Sequence, residues 1–132
     1  MMNFCLVLQA KKWCYMNERD KSILEHILRY CNEIDDANCQ FGNSVDVLKT
    51  NSAYKNALSM CILQIGELVI LLSDEFKSIY NEIPWNDIKS MRNIAAHQYH
   101  KFDLDTLWET ITDDIPKLRD YCDFVIRINE VS

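Results

Sequence analysis

Between Arg92 and Tyr99 the chain reads Arg-Asn-Ile-Ala-Ala-His-Gln-Tyr, and several of these side chains have chemistry to offer a phosphodiester. A guanidinium carries a permanent charge on a fork of donors, which suits the charge that grows on a phosphate in a transition state. Histidine titrates near neutrality, so His97 has the intrinsic acidity of a general base. RNA brings its own nucleophile, the ribose 2′-hydroxyl, so an Arg92–His97 pair acting on it needs neither a metal nor a serine or cysteine. Asn93 can orient either partner. Tyr99 can donate to a phosphate oxygen or stack on a base, and a place in the core or at an interface is the equal alternative for this ring. In a straight helix Arg92 and Tyr99 share a face, whereas His97 points well away from Arg92. The three converge only where the helix unwinds or bends near Ala96 or His97.

Other polar groupings read more plainly. His97, His100 and Asp103 form His-x-x-His-x-x-Asp, a loose metal spacing. A catalytic zinc wants three firm ligands in geometry, and no other feature of the sequence supports one. Asp35-Asp36 and Asp113-Asp114 are adjacent pairs pointing about 100° apart on a helix, so they read as solvated caps rather than acid–base couples.

The chain has 132 residues, 48% hydrophobic and 26% charged, with a formal net charge of −6. That suits one domain with a single core, and the charge argues against a generic nucleic-acid binder. The distribution qualifies this. No Asp or Glu occurs between Ile88 and Phe102, where Lys89, Arg92, His97, His100 and Lys101 all fall, so an acidic chain carries one basic island. With only two glycines, Gly42 and Gly66, a Walker loop or dinucleotide-binding turn is excluded, because those turns bring several glycines against phosphates. The six cysteines contain no Cys-x-x-Cys pair and read as reduced residues, with Cys31 and Cys61 in the core. No apolar run of membrane-spanning length is expected, and the lysines near the start follow its apolar stretch, the reverse of a signal peptide.

These residues need helices to position them. Ile23, Ile27, Tyr30 or Cys31, and Ile34 recur at helical spacing from Asn17 onward. Asp35, Asp36 and Asn38 then lead into a polar loop around Gly42 and Asn43. A second helix starts with Asn51 or Ser52 as cap and carries Ala57, Cys61, Ile65, Leu68 and Leu72 on a broad stripe. Gly66 costs this helix about 1 kcal/mol relative to Ala, which close approach of a neighbouring helix would explain. Ser73 caps a short helix through Ile79, and Pro84 suits the first turn of the helix carrying the motif, whose inward face is Ile88, Met91 and Ala95. Asp103 caps the last helical region, which Pro116 interrupts near Asp113 or Asp114 before it runs to about Ile128. Strand-like alternation is nowhere sustained, so the expected fold is all-α, a bundle of four to five helices. Residues 1–15 read as an extension of doubtful order and residues 16–132 as the domain.

Arg-x4-His-x-Tyr resembles the signature of the HepT-like family within the HEPN superfamily, and its surroundings are similar too. Ile65-Gly66-Glu67, Ile83-Pro84-Trp85 and Met91-Arg92-Asn93 occur in the family's order, followed by Asp103, Leu104, Asp105, Trp108 and Ile115-Pro116. The resemblance covers nearly everything after Met16. It implies a HEPN-like bundle and a metal-independent endoribonuclease with no cofactor of its own. It implies Arg92 and His97 as the catalytic pair, Asn93 as a supporting residue, and a cytoplasmic homodimer whose motifs face across the interface. It further implies the toxin of a type VII-like toxin–antitoxin pair, with RNA as substrate. The partner is then a nucleotidyltransferase antitoxin of the MNT type that adenylylates Tyr99. The alternative is a catalytically silent HEPN-like module that binds nucleotide or protein and dimerises; the presence of both Arg92 and His97 favours the nuclease.

Overall fold

A computed structural model of the chain describes residues 16–97 and 104–131, with the side chains of 93–97 and 131 outside the description. The extension 1–15 lies outside it. Every regular element among the described residues is helical: α1 (Glu18–Gln40), α2 (Val45–Thr50), α3 (Ser52–Leu71), α4 (Asp74–Ile79), α5 (Trp85–His97), α6 (Leu104–Glu109), a π-helical turn (Thr110–Asp114) and α7 (Ile115–Val131). The long helices α1, α3, α5 and α7 build the bundle, with α3 packed on α1 and α5, and α1 on α7. This is the all-α HEPN-like architecture expected.

The helix starts follow from side chains that satisfy otherwise unpaired amides. Asn17 accepts from the Asp20 amide at 2.7 Å, Asn51 from that of Tyr54 at 3.1 Å and Ser73 from that of Phe76 at 3.1 Å. Asp20 is buried, and its carboxylate accepts from the Ser73 amide at 2.9 Å and hydroxyl at 2.6 Å, tying the start of α1 to the start of α4. The expected positions Ile23, Ile27, Cys31 and Ile34 of α1 and Cys61, Ile65 and Leu72 along α3 and at its end are buried, Ala57 and Leu68 only partly. Leu24, Leu58, Ile62 and Val69 complete the core with Tyr121, Cys122 and Val125 of α7. Cys31, Cys39, Cys61 and Cys122 are free thiols, and Cys39 is the exposed one of these four.

Four expectations are corrected. The first helix continues through Asp35 and Asp36 to Gln40, and Asp35 pairs with Arg119 of α7, 84 residues away. The turn is therefore short, with Gly42 at φ 82° and Asn43 at φ 53°, the left-handed backbone these two residues adopt at least cost. After it, Ser44 caps the unforeseen α2 by accepting from the Val47 amide at 3.4 Å. Asp113 and Asp114 are not caps either; they close a π turn that widens the helix just before Pro116, and α7 begins at Ile115, where the interruption was expected. Finally, α3 is, among the described helices, long and apolar enough to cross a membrane by length and composition. In this fold it is the central helix, with Leu58, Cys61, Ile62, Ile65 and Val69 buried against its neighbours.

Candidate active site

The start of α5 is fastened by aromatic packing. The Trp85 indole donates to the Tyr80 carbonyl at 2.8 Å, and its ring lies 5.9 Å from Phe76 and 6.4 Å, edge-on, from Tyr121. The Tyr121 hydroxyl donates in turn to Glu82, which holds the turn before α5 against α7. Pro84 sits one residue earlier than expected, as the cap whose carbonyl accepts from the amides of Asp87 at 3.0 Å and Ile88 at 3.2 Å. Ile88 is buried and Met91 packs against the core, so the predicted inward face is present as far as it is described. Thr110, buried in the π turn, donates to the Met91 sulfur at 3.5 Å, next to Arg92.

Arg92 itself is placed by α3. At Gly66 the two helices touch: a Cβ built there would lie 2.2 Å from Arg92 Cβ, 2.9 Å from its Cγ and 3.2 Å from its Cα. No side chain fits in that space, which is the physical reason for a glycine in the interior of a core helix. Its neighbour Glu67 accepts from Arg92 Nε at 2.6 Å. The side chains are 28% exposed at Arg92 and 44% at Glu67, so the pair lies at the surface, where ion pairs are worth about 0–1 kcal/mol. Its contribution is to geometry more than to stability.

The other predicted site residues are placed less fully. Asn93 and His97 lie on α5, whose backbone is helical through His97, with their side chains outside the description. Positions five apart on a regular helix differ by about 140°, so the unwinding by which one chain would bring Arg92 and His97 together does not occur before His97. Tyr99, His100, Lys101 and Asp103 lie outside the described residues, and with them the predicted modification site, most of the basic island and the loose metal spacing. Lys89 is exposed on α5. The cavity beside α5, about 320 Å³, is lined by Glu82, Asp87, Asp114 and Lys117 around Ile88 and Met91. A larger one of about 530 Å³ at the start of the helix includes Asp74, Lys77, Trp85 and Asp87. Carboxylates on both make them poor seats for a phosphate.

Glu67 is the residue whose role was missed. Gly66 did signal a close approach, but nothing local identifies Arg92, 26 positions on, as what approaches.

Residues 23–125 match the family model described as Ribonuclease HepT-like. The chain belongs to the HepT-like ribonuclease family. Among its relatives is a protein of Methanocaldococcus jannaschii named "Putative RNase MJ1216", 31% identical over 85% of this chain and 92% of that one. The "Probable ribonuclease HepT" of Thermococcus cleftensis is 37% identical over 54% of this chain and 61% of its own length. A third, "Gamma-glutamylcyclotransferase and putative RNase MJ0434" of M. jannaschii, is 33% identical over 80% of this chain, which spans 46% of that longer protein. No solved structure matches the chain significantly.

Proposed function

We propose that this protein is a metal-independent endoribonuclease, the toxin of a type VII-like toxin–antitoxin pair, with Arg92 and His97 as its catalytic residues. The observation that carries this reading is Arg92: within a chain of the HepT-like ribonuclease family, α3 fixes it at the surface on the same helix as His97. His97 takes the proton from a ribose 2′-hydroxyl, the 2′-oxygen attacks the adjacent phosphorus, and Arg92 meets the charge that gathers on the phosphoryl oxygens. The bond to the 5′-oxygen breaks and that oxygen takes up a proton, leaving a 2′,3′-cyclic phosphate and a 5′-hydroxyl. Asn93 supports the pair.

In this reading the complete site is a composite of two copies, Arg92 of one facing His97 of the other, which fits an α5 backbone that sets positions 92 and 97 on different faces of one chain. The antitoxin, a nucleotidyltransferase, transfers AMP from ATP onto Tyr99. The nucleotide then occupies the path of the RNA, and its phosphate offers Arg92 a competing negative group. Expression of the wild-type chain without its antitoxin, beside Arg92→Ala/His97→Ala, is the test. Growth arrest and EDTA-resistant RNA cleavage by the wild type alone are expected. Cleavage by the double variant, or a requirement for a divalent metal, would refute the assignment.

A further inference from the structure

We infer that Glu67 is the positioning residue for Arg92, and that Gly66-Glu67 together form the seat that aims its guanidinium at the scissile phosphate. The inference rests on the ribonuclease reading but concerns a residue that reading does not use.

An arginine side chain has four rotatable bonds and gives up much freedom when it is held in one orientation. Stabilising a transition state demands that orientation, since a misplacement of about 1 Å can cost about a hundredfold in rate. Two adjacent residues of α3 supply it. Gly66 admits the root of the side chain: the space a Cβ would fill is bounded by Arg92 Cβ and Cγ, 2.2 and 2.9 Å from where it would sit. Glu67 holds the far end, its Oε1 accepting from Nε at 2.6 Å. With its root and Nε both fixed, the guanidinium plane is set by the helix crossing.

The charge belongs to the same arrangement. Glu67 lies on α3 between Met60 and Leu71, the two most exposed of the large apolar residues described. The carboxylate thus partly balances Arg92 on a stripe flanked by two exposed apolar side chains. Held at its root and at Nε, the side chain has less reorganisation left for the moment of reaction.

The test compares Glu67→Ala, Glu67→Gln and Arg92→Ala in the full chain, with a mixed-sequence oligoribonucleotide as probe. Glu67→Ala should lower kcat about a hundredfold with KM nearly unchanged. Glu67→Gln keeps an oxygen for the Nε–H and should recover most of that loss. Adding Glu67→Ala to Arg92→Ala should cost nothing more, because a residue acting through Arg92 has nothing left to act on. Wild-type kcat in Glu67→Ala, or Glu67→Gln no better than Ala, overturns the inference. Should Glu67→Ala melt early, the Gln variant, which preserves shape, decides by the same criterion. A wild-type chain inert toward RNA would count against the ribonuclease reading alone. The seat is then read from the Arg92 Nε–H resonance in a ¹⁵N-labelled sample: shifted and slowly exchanging in the wild type, collapsed in Glu67→Ala if the seat is real, unchanged if it is not.

Discussion

At the scale of single residues, the most exacting group is Arg92, because a positive charge alone does not replace it. Lysine at this position keeps the charge but has no Nε–H to give Glu67 and no fork for a phosphate. Arg92→Lys is therefore expected to lose kcat by about 10²–10³, the range for removing one preorganised donor, as measured in cleavage kinetics at fixed pH. The buried thiols set a second expectation. Burial pushes Cys31 up from the ordinary 9.0 to about 12, and burial with the Glu33 carboxylate nearby pushes Cys61 up to about 11. Above pH 9 the unfolded thiols release protons while the native ones hold theirs, so the native state binds more protons. Stability is then complete below pH 9 and declines as pH rises toward 11 and 12. Melting temperature should fall between pH 8.5 and about 10.5, and a melting curve that stays flat across that interval would contradict it. At pH 8 a thiol reagent should modify Cys39 in the native protein well before Cys31, Cys61 or Cys122.

At the scale of elements, the sequence disclosed what neighbouring residues decide and concealed what distant ones decide. Asn51 and Ser73 were legible as caps because a cap and the amide it serves are three positions apart. The end of α1 was not, since Asp35 looks like a turn residue until Arg119 is seen opposite it. The motif was legible as chemistry, and Gly66 as an anomaly, but their meeting depends on the α3–α5 crossing. Substitution at the two glycines separates these cases. At Gly66 an alanine gains about 1 kcal/mol of helix propensity against about 1–3 kcal/mol for forcing a methyl into filled space. The contact is with the root of Arg92 rather than the tip of a flexible chain, so Gly66→Ala should be destabilising and should also lower cleavage. At Gly42 there is open space but φ is +82°, so Gly42→Ala should lose about 1–2 kcal/mol to backbone strain and leave cleavage of the folded protein unchanged. Denaturant unfolding and kcat, measured on both variants, distinguish a seat for Arg92 from a turn.

At the scale of the whole molecule, an acidic protein has to present enough positive potential to hold RNA. One copy of net charge −6 carries Lys89, Arg92 and Lys101 in a stretch without Asp or Glu, and in the proposed dimer two such islands would face each other and focus the potential in a shared cleft. Facing like charges repel, so apolar contact around them has to supply the association. On α3, Met60, Gln64, Glu67 and Leu71 follow one another at spacings of four, three and four, which places them on one stripe. Met60 is 54% exposed and Leu71 49%, with the Glu67–Arg92 pair on the stripe between them. A second copy docked there would cover both apolar side chains and bring the two Arg92 residues near each other, each already partly balanced by its own Glu67. Met60→Glu/Leu71→Glu should therefore convert a dimer to monomers in sedimentation at micromolar concentration while sparing the buried core, and cleavage should fall with the dimer. Inorganic phosphate should tighten the wild-type dimer, because an anion in the cleft relieves the repulsion, and should do nothing for the double variant. A wild-type monomer would refute the composite site and leave Arg92 to act with residues of its own chain, and a double variant that remains dimeric would place the interface elsewhere.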